Sequence, residues 1–353
     1  MTTHKQTFDL AKLVPYLESH VSGFTGPVTA KKFADGQSNP TYLLNAASGD
    51  YVLRAKPLGQ LLKSAHAVDR EYRVQQALAT TDVPVARVFH LCEDDTVIGS
   101  MFYLMDFVPG RIFWDASLPE LTVSERGSLF DELVRVMAQM HNIKVDDVSL
   151  QDYGRPSGYF ERQLALWIKQ YRAAETQHIE PMGTLINWLS SNLPADDGQV
   201  SLIHGDYRLD NVIFQQEGTK ALAVLDWELS TLGHPLADLA YFCMCLRLPP
   251  DGLIKGLAGL NRTELGVPTE QQIISQYCHL RQLQGIDHWH FYLAFSFFRL
   301  AAICQGVMKR ALDGNASSGR ATEVGQLTTS LATMAVELIA NAHTIKKGTD
   351  DGF

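Results

Sequence analysis

Three polar residues, Asp206, Asn211 and Asp226, stand where they could handle a phosphoryl group. Asp206 and Asn211 lie in His204-Gly205-Asp206-Tyr207-Arg208-Leu209-Asp210-Asn211, and Asp226 in Val224-Leu225-Asp226-Trp227-Glu228. Phosphoryl transfer asks little covalent chemistry of a protein; it needs charge neutralised and an attacking oxygen aimed in line. An Asp that takes or orients a hydroxyl proton, with an Asn and a second Asp holding divalent metal, meets both needs. Taken singly, each residue reads first as a turn cap, because Asp and Asn side chains bond nearby backbone in turns. Their surroundings favour chemistry. Short apolar runs, Ser201-Leu202-Ile203 and Leu222-Ala223-Val224-Leu225, read as buried strands that deliver the two acids. A third run, Val212-Ile213-Phe214, follows Asn211, and the polar turn Gln215 to Lys220 closes a hairpin.

The order and spacing match the kinase pattern D-x-x-x-x-N followed by a metal-binding Asp. His-Gly-Asp at 204–206 resembles the aminoglycoside phosphotransferase and choline kinase branch of the protein-kinase-like superfamily. Gly36-Gln37-Ser38-Asn39-Pro40-Thr41-Tyr42 and Ser64-Ala65-His66-Ala67-Val68-Asp69-Arg70-Glu71-Tyr72 narrow the likeness. They are similar to the kinase-like domain that occurs alone in bacteria and fused ahead of some acyl-CoA dehydrogenases. The resemblance runs over nearly the whole chain. It implies an α+β, two-lobe protein-kinase-like fold: a small antiparallel-sheet N-lobe at residues 1–107 and a larger, mostly helical C-lobe at 108–353. It also implies ATP and Mg²⁺ as cofactors, bound in the cleft between lobes.

The remaining nucleotide contacts are assigned on that likeness. Val28 to Phe33 and Thr41 to Asn45 read as strands, and the loop between them, with Gln37, Ser38 and Asn39, can lay backbone N–H groups over a phosphate. It has one glycine rather than G-x-G-x-x-G, so alone it is only a hairpin. The strand Tyr51-Val52-Leu53-Arg54 puts Arg54 where the family's phosphate-binding cation belongs, with Glu71 on the following helical stretch as its partner. Alternation puts Lys56 on the same face, so either cation fits. Strands at Val88 to Leu91 and Met101 to Met105 complete five. Asp106 and Val108 then fall in the hinge, whose backbone N–H and C=O groups would read the adenine edge.

Beyond the hinge the pattern is helical, with apolar stripes over Val123 to Asn142, Tyr159 to Tyr171 and Met182 to Leu193. Arg208 offers a guanidinium to the equatorial oxygens of the transition state, unless Asp210 neutralises it. His204 reads as a structural brace. Asp238 either caps a helix start or, as the resemblance implies, ties that helix to the catalytic loop. Arg299 lies in an apolar run, where an unpaired charge is costly to bury, so an acid or a phosphate is expected beside it.

Composition bounds the rest. The chain has 353 residues, 46% apolar and 20% charged, as expected of a globular enzyme with more than one core. A net charge of −9 argues against nucleic acid as a partner. Five scattered cysteines without a Cys-x-x-Cys pair read as free buried thiols. The start lacks an apolar signal core, and the apolar run Phe291 to Met308 carries Arg299 at its middle, so no membrane association and a cytoplasmic location are expected. The expected activity is transfer of the ATP γ-phosphoryl group to a hydroxyl of a small molecule. The resemblance suggests a hydroxyacyl-CoA and a functional link to an acyl-CoA dehydrogenase. The alternatives are an aminoglycoside, choline-like or other amino alcohol as acceptor, or a nucleotide-binding pseudokinase or partner module of the dehydrogenase.

Overall fold

The structure is a computed structural model that describes residues 8–33, 39–57, 67–314 and 320–348. In chain order its elements are α1 (Leu10–His20), β1 (Val28–Lys32), β2 (Thr41–Ala46), β3 (Gly49–Ala55), α2 (Val68–Leu78), β4 (Val88–Cys92), α3 (Asp95–Ile98), β5 (Phe102–Asp106), α4 (Val123–Asn142), α5 (Tyr159–Ala174), α6 (Glu180–Ser191), β6 (Ser201–Ile203), β7 (Val212–Phe214), β8 (Ala221–Val224), β9 (Thr231–Gly233), α7 (Leu236–Leu246), α8 (Arg262–Leu265), α9 (Glu270–Arg281), α10 (Trp289–Leu312) and α11 (Ala321–Gly348). They fall into two units. The first joins Met1–Ile112 with Asp146–Leu150 and Asn211–Ser230; the second joins Phe113–Val145 with Gln151–Asp210 and Thr231–Phe353.

Period-two alternation builds the first unit. Along β2, Tyr42 and Leu44 are buried and their neighbours are half-buried or exposed, the mark of a strand with one face on a core. β1 to β5 make one antiparallel sheet in the order β1-β2-β3-β5-β4. The adjacent β3 residues Val52 and Leu53 point to opposite faces and so belong to two clusters. Leu53 joins Tyr42, Leu44 and Phe102 beneath α1, whose Leu13 and Leu17, one turn apart, are fully buried. Each such leucine contributes about 2 kcal/mol of hydrophobic stabilisation. Val52 joins Tyr103 and Met105 with Val68 at the start of α2.

The segment after β5 is bound to the β7–β8 hairpin. Arg111 and Phe214 exchange both backbone bonds, at 2.8 and 2.9 Å, and the Arg111 guanidinium donates to the carbonyls of Gln215 and Gly218. Gly110 fits here because a Cβ would run into the Ile213 side chain and the Phe214 carbonyl. We expect Gly110→Ala to lower the unfolding free energy by about 1–3 kcal/mol, the usual range for overpacking; urea unfolding followed by circular dichroism measures it.

In the second unit α4 begins with a capping box. The Thr122 hydroxyl accepts the Glu125 N–H at 3.3 Å, and Glu125 Oε2 accepts the Thr122 N–H at 2.8 Å. Its inward stripe, Leu129, Leu133, Val136, Met137 and Met140, is fully buried. β9 was not foreseen from the sequence. It is three residues long, begins with a threonine and ends in a glycine, so it carries no alternation; pairing with β6, Leu202 opposite Leu232, makes it a strand. α7 is buried along its whole length. α10 is long and apolar enough to cross a membrane, but 78% of its apolar window is buried inside the protein. Gln305 on α10 donates to the Ala174 carbonyl and the Thr176 hydroxyl, which ties that helix to the end of α5. All five cysteines are free and buried.

Candidate active site

β2 and β3 register Thr41 against Arg54, and β3 and β5 register Arg54 against Tyr103. Around Arg54 the first unit gathers a polar cluster inside an otherwise apolar setting. Arg54 Nε lies 2.6 Å from Glu71 Oε2, and Arg54 Nη2 lies 2.5 Å from Asp226 Oδ1. Glu71, 1% exposed, also accepts the Asn39 amide at 2.7 Å and the Tyr103 hydroxyl at 3.1 Å. The Asn39 amide reaches on to Glu228 Oε2 at 3.4 Å. Lys56 lies apart, 3.8 Å from Asp69. Arg54 is therefore the cation paired with Glu71. Burial lowers the Arg54 pKa, but Glu71, Tyr103 and Asp226 outweigh it and the net shift is upward.

The β7–β8 hairpin brings Asn211 and Asp226 to one end. Val212 pairs with Val224, and the Leu225 N–H donates to the Asn211 carbonyl at 2.8 Å, so the residue before Asp226 is bonded to Asn211. Asp226 has φ +61°, a left-handed conformation that Asp tolerates better than most residues, and it leads into the 3₁₀ turn Trp227–Leu229. Oxygen donors of this kind suit Mg²⁺, which binds through one or two carboxylates plus substrate phosphates. Asp226 Oδ2 has no hydrogen-bond partner among the described residues, so a metal would meet an oxygen that Arg54 does not occupy.

Burial pushes Glu71 up to about 7, opposed by the Arg54 guanidinium and reinforced by Asp226 and Glu228. The sign follows from linkage. Between the ordinary value of 4.5 and about 7 the folded protein holds a proton that the unfolded chain has released, so stability falls as pH rises through that window. We expect the unfolding free energy of wild type minus that of Glu71→Gln to fall by about 1.4 kcal/mol per pH unit across the window and to flatten above it. Urea unfolding of both proteins at a series of pH values measures the slope.

In the second unit the loop after β6 is fixed by Asp238, which is fully buried on α7. Asp238 accepts the His204 N–H at 2.6 Å, the Gly205 N–H at 2.8 Å and His141 Nε2 at 3.2 Å. His141 Nδ1 in turn lies 2.6 Å from the Tyr277 hydroxyl. Burial lowers the His141 pKa, and a neutral ring that donates from Nε2 and accepts at Nδ1 satisfies both contacts. Burial raises the Asp238 pKa, but hydrogen bonds from His141 and the loop backbone outweigh it and the carboxyl stays below its usual range. Asp238 is no N-cap; it joins α7 to the loop.

Asp206 and Arg208 sit on that loop, with Arg208 Nε 3.3 Å from Asp206 Oδ1 and Nη2 2.9 Å from Asp210 Oδ2. Arg208 is thus shared between two acids, which raise its pKa against the lowering effect of burial. Arg299 corrects an expectation. Among the described residues it has no acidic partner; its Nη1 donates to the Gly205 carbonyl at 2.7 Å, and its guanidinium lies 5.8 and 5.7 Å from the ring centres of Trp167 and Tyr241.

Of the remaining candidates, Gln37 and Ser38 lie outside the described residues, as does His66. Asn39 is fully buried against Glu71, so its side chain braces that acid. The Asp106 N–H is committed to the Arg87 carbonyl at 2.9 Å, which leaves only its carbonyl for a base, and Val108 packs against the cluster to which Val52 and Tyr103 belong. Tyr103, Gln75 and Glu228 escaped sequence reading. Gln75 donates to the Tyr103 hydroxyl and thereby supports Glu71. A tyrosine inside the apolar strand Phe102-Tyr103-Leu104-Met105 was the available signal, because a buried hydroxyl needs a partner.

A five-stranded antiparallel sheet followed by a mostly helical region is the protein-kinase-like fold, and comparison with known proteins gives the class. Residues 29–266 match the phosphotransferase enzyme family, and the chain belongs to it. Among curated proteins it is 47% identical over 325 residues to acyl-CoA dehydrogenase family member 10 of Mus musculus, covering 90% of this chain and 30% of that protein. The chain thus spans less than a third of that relative's length. Among solved structures it is 46% identical, with a TM-score of 0.87, to a Ralstonia eutropha protein provisionally described as an aminoglycoside phosphotransferase, covering 95% of this chain and 99% of that one. An aminoglycoside phosphotransferase in ternary complex with AMP-PNP and hygromycin B shares the fold at a TM-score of 0.61 and 13% identity, covering 93% of this chain and 98% of that one.

Proposed function

We propose that the protein is a small-molecule kinase that transfers the γ-phosphoryl group of ATP, with Mg²⁺, to a hydroxyl of a hydroxyacyl-CoA. The observation that carries this reading is the Arg54–Glu71 ion pair at 2.6 Å, extended to Asp226 at 2.5 Å. A cation braced by a buried acid and joined to a metal-binding Asp is the arrangement by which a kinase holds a nucleoside triphosphate. In this reading residues 1–107 carry the nucleotide site and 108–353 the catalytic loop. Arg54, braced by Glu71, Asn39 and Tyr103, holds the phosphates, together with the backbone at Gln37 and Ser38. The carbonyl of Asp106 and the backbone of Val108 take the adenine edge. Asn211 and Asp226 hold Mg²⁺, which neutralises charge on the phosphates. Asp206 accepts or orients the acceptor's hydroxyl proton, and Arg208, paired with Asp206, adds positive charge to stabilise the transferred group.

The acceptor class rests on the relatives. The mouse protein is an acyl-CoA dehydrogenase family member, and a kinase fused to such an enzyme would phosphorylate a hydroxyl on its thioester substrates. The phosphate ester is a better leaving group than the hydroxyl, so the product suits later elimination. ADP formation with Mg²⁺-ATP and a panel of 4-hydroxyacyl-CoAs, aminoglycosides, choline and amino alcohols tests this. We expect acceptor-dependent ADP with a 4-hydroxyacyl-CoA. Turnover with an aminoglycoside or choline alone overturns the acceptor, and nucleotide binding without turnover on any acceptor makes the chain a binding module.

A further inference from the structure

We propose that Arg299 is a positioning residue for Asp206, acting through the peptide that joins Gly205 to Asp206; the proposal rests on the reading of Asp206 as the proton acceptor. Both polar ends of that peptide are held. Its carbonyl accepts from Arg299 Nη1 at 2.7 Å, and its N–H donates to His204 Nδ1 at 3.2 Å. The preceding peptide is held at the Gly205 N–H by Asp238 Oδ1, 2.8 Å away. Between the two peptides stands a glycine at φ +84°, in the left-handed region where a residue without Cβ meets little steric restraint. Asp238 alone fixes one side of that pivot. Rotation about the other side would tilt the Gly205–Asp206 peptide and carry the Asp206 carboxylate with it, and the Arg299 hydrogen bond opposes that rotation.

The cost of placing an arginine here supports a role beyond packing. Arg299 is 9% exposed on α10, flanked by the buried Phe297, Phe298 and Leu300, and among the described residues it forms no ion pair. A methionine or leucine would pack α10 without desolvating an ion. The guanidinium adds a planar, permanently charged donor. Set against Trp167 and Tyr241, it fixes the Gly205 oxygen relative to a helix and not merely to its own loop. Tyr241 lies on the same helix as Asp238, so α7 and α10 together hold the turn.

Arg299→Met and Arg299→Lys test this through three readouts: Mg²⁺-AMP-PNP affinity, ATP turnover with and without a 4-hydroxyacyl-CoA, and amide hydrogen exchange. We expect Arg299→Met to bind AMP-PNP within about twofold of wild type and to lose roughly 10²-fold in kcat, the scale of a slightly misplaced catalytic group. Exchange should rise at residues 204–208 while α7 and α10 stay protected. Lysine, a donor without the planar fork, should fall between the two in kcat. An unchanged kcat in Arg299→Met, or exchange that rises across α7 and α10 with loss of nucleotide binding, overturns the proposal. If Arg299→Met does not fold, Arg299→Lys decides: reduced kcat with local exchange supports the proposal, and wild-type values for both overturn it. Failure of the functional reading looks different, because wild type itself then shows no turnover whatever the exchange at residues 204–208.

Discussion

Replacing Asp206 with Asn lowers kcat by roughly 10²–10⁴-fold while leaving Mg²⁺-ATP affinity and thermal stability near wild type, the range expected when a positioned general base is lost. The substitution keeps the side chain's shape and removes its charge. Asp206 sits in a loop whose backbone is fixed by Asp238 and Arg299, and Arg208 retains Asp210 as a partner at 2.9 Å, so no buried charge is stranded. A loss of kcat shared equally with nucleotide affinity would place Asp206 among the binding groups instead. Steady-state ADP release with ATP varied at fixed acceptor separates the two outcomes.

Asp226→Asn has an effect of similar size by another route. Asparagine tolerates the left-handed backbone at φ +61° as well as aspartate does, so the turn into Trp227–Leu229 survives. The charge at the proposed metal site does not. A divalent ion supplies several kcal/mol of charge stabilisation in the transition state, and at about 1.4 kcal/mol per decade its loss corresponds to a fall in kcat/KM of roughly 10³-fold. The same substitution removes a negative charge that helps push Glu71 upward, so the Glu71 midpoint should fall from its value near 7. Carbon NMR of the glutamate carboxyls checks the midpoint; an unmoved Glu71 in Asp226→Asn would show that the acids are not coupled.

Much of the fold was legible because long periodic stretches announce themselves. Val123 to Asn142 carries an apolar stripe at helical spacing and an acid that caps its start, and α4 has those bounds. β7 and β8 were readable because a polar turn separates two short apolar runs. β9 was not, since a three-residue strand made by pairing has no local pattern. In the polar cluster, Asp226 was legible from the spacing of the kinase pattern and Arg54 and Glu71 from resemblance, whereas Asn39 and Tyr103 bind Glu71, and Glu228 and Gln75 bind those two in turn, through contacts that no spacing reveals. Asn39 and Glu228 are 189 residues apart in sequence. Arg299 shows the limit of charge arithmetic: a buried guanidinium is expected to find an acid or a phosphate, and within the protein it donates to a carbonyl and lies against two aromatic rings. A peptide carbonyl is present at every residue, so composition gives no hint of such a partner.

The most direct measurement is phosphorus NMR of the protein incubated with Mg²⁺-ATP and a 4-hydroxyacyl-CoA. We expect the γ-phosphate resonance to be replaced by a phosphate monoester resonance coupled to the proton on the acceptor's hydroxyl-bearing carbon, in step with ADP, and neither change to occur with Asp206→Asn. ADP accompanied only by inorganic phosphate, or an ATP spectrum that never changes, would contradict the proposed transfer.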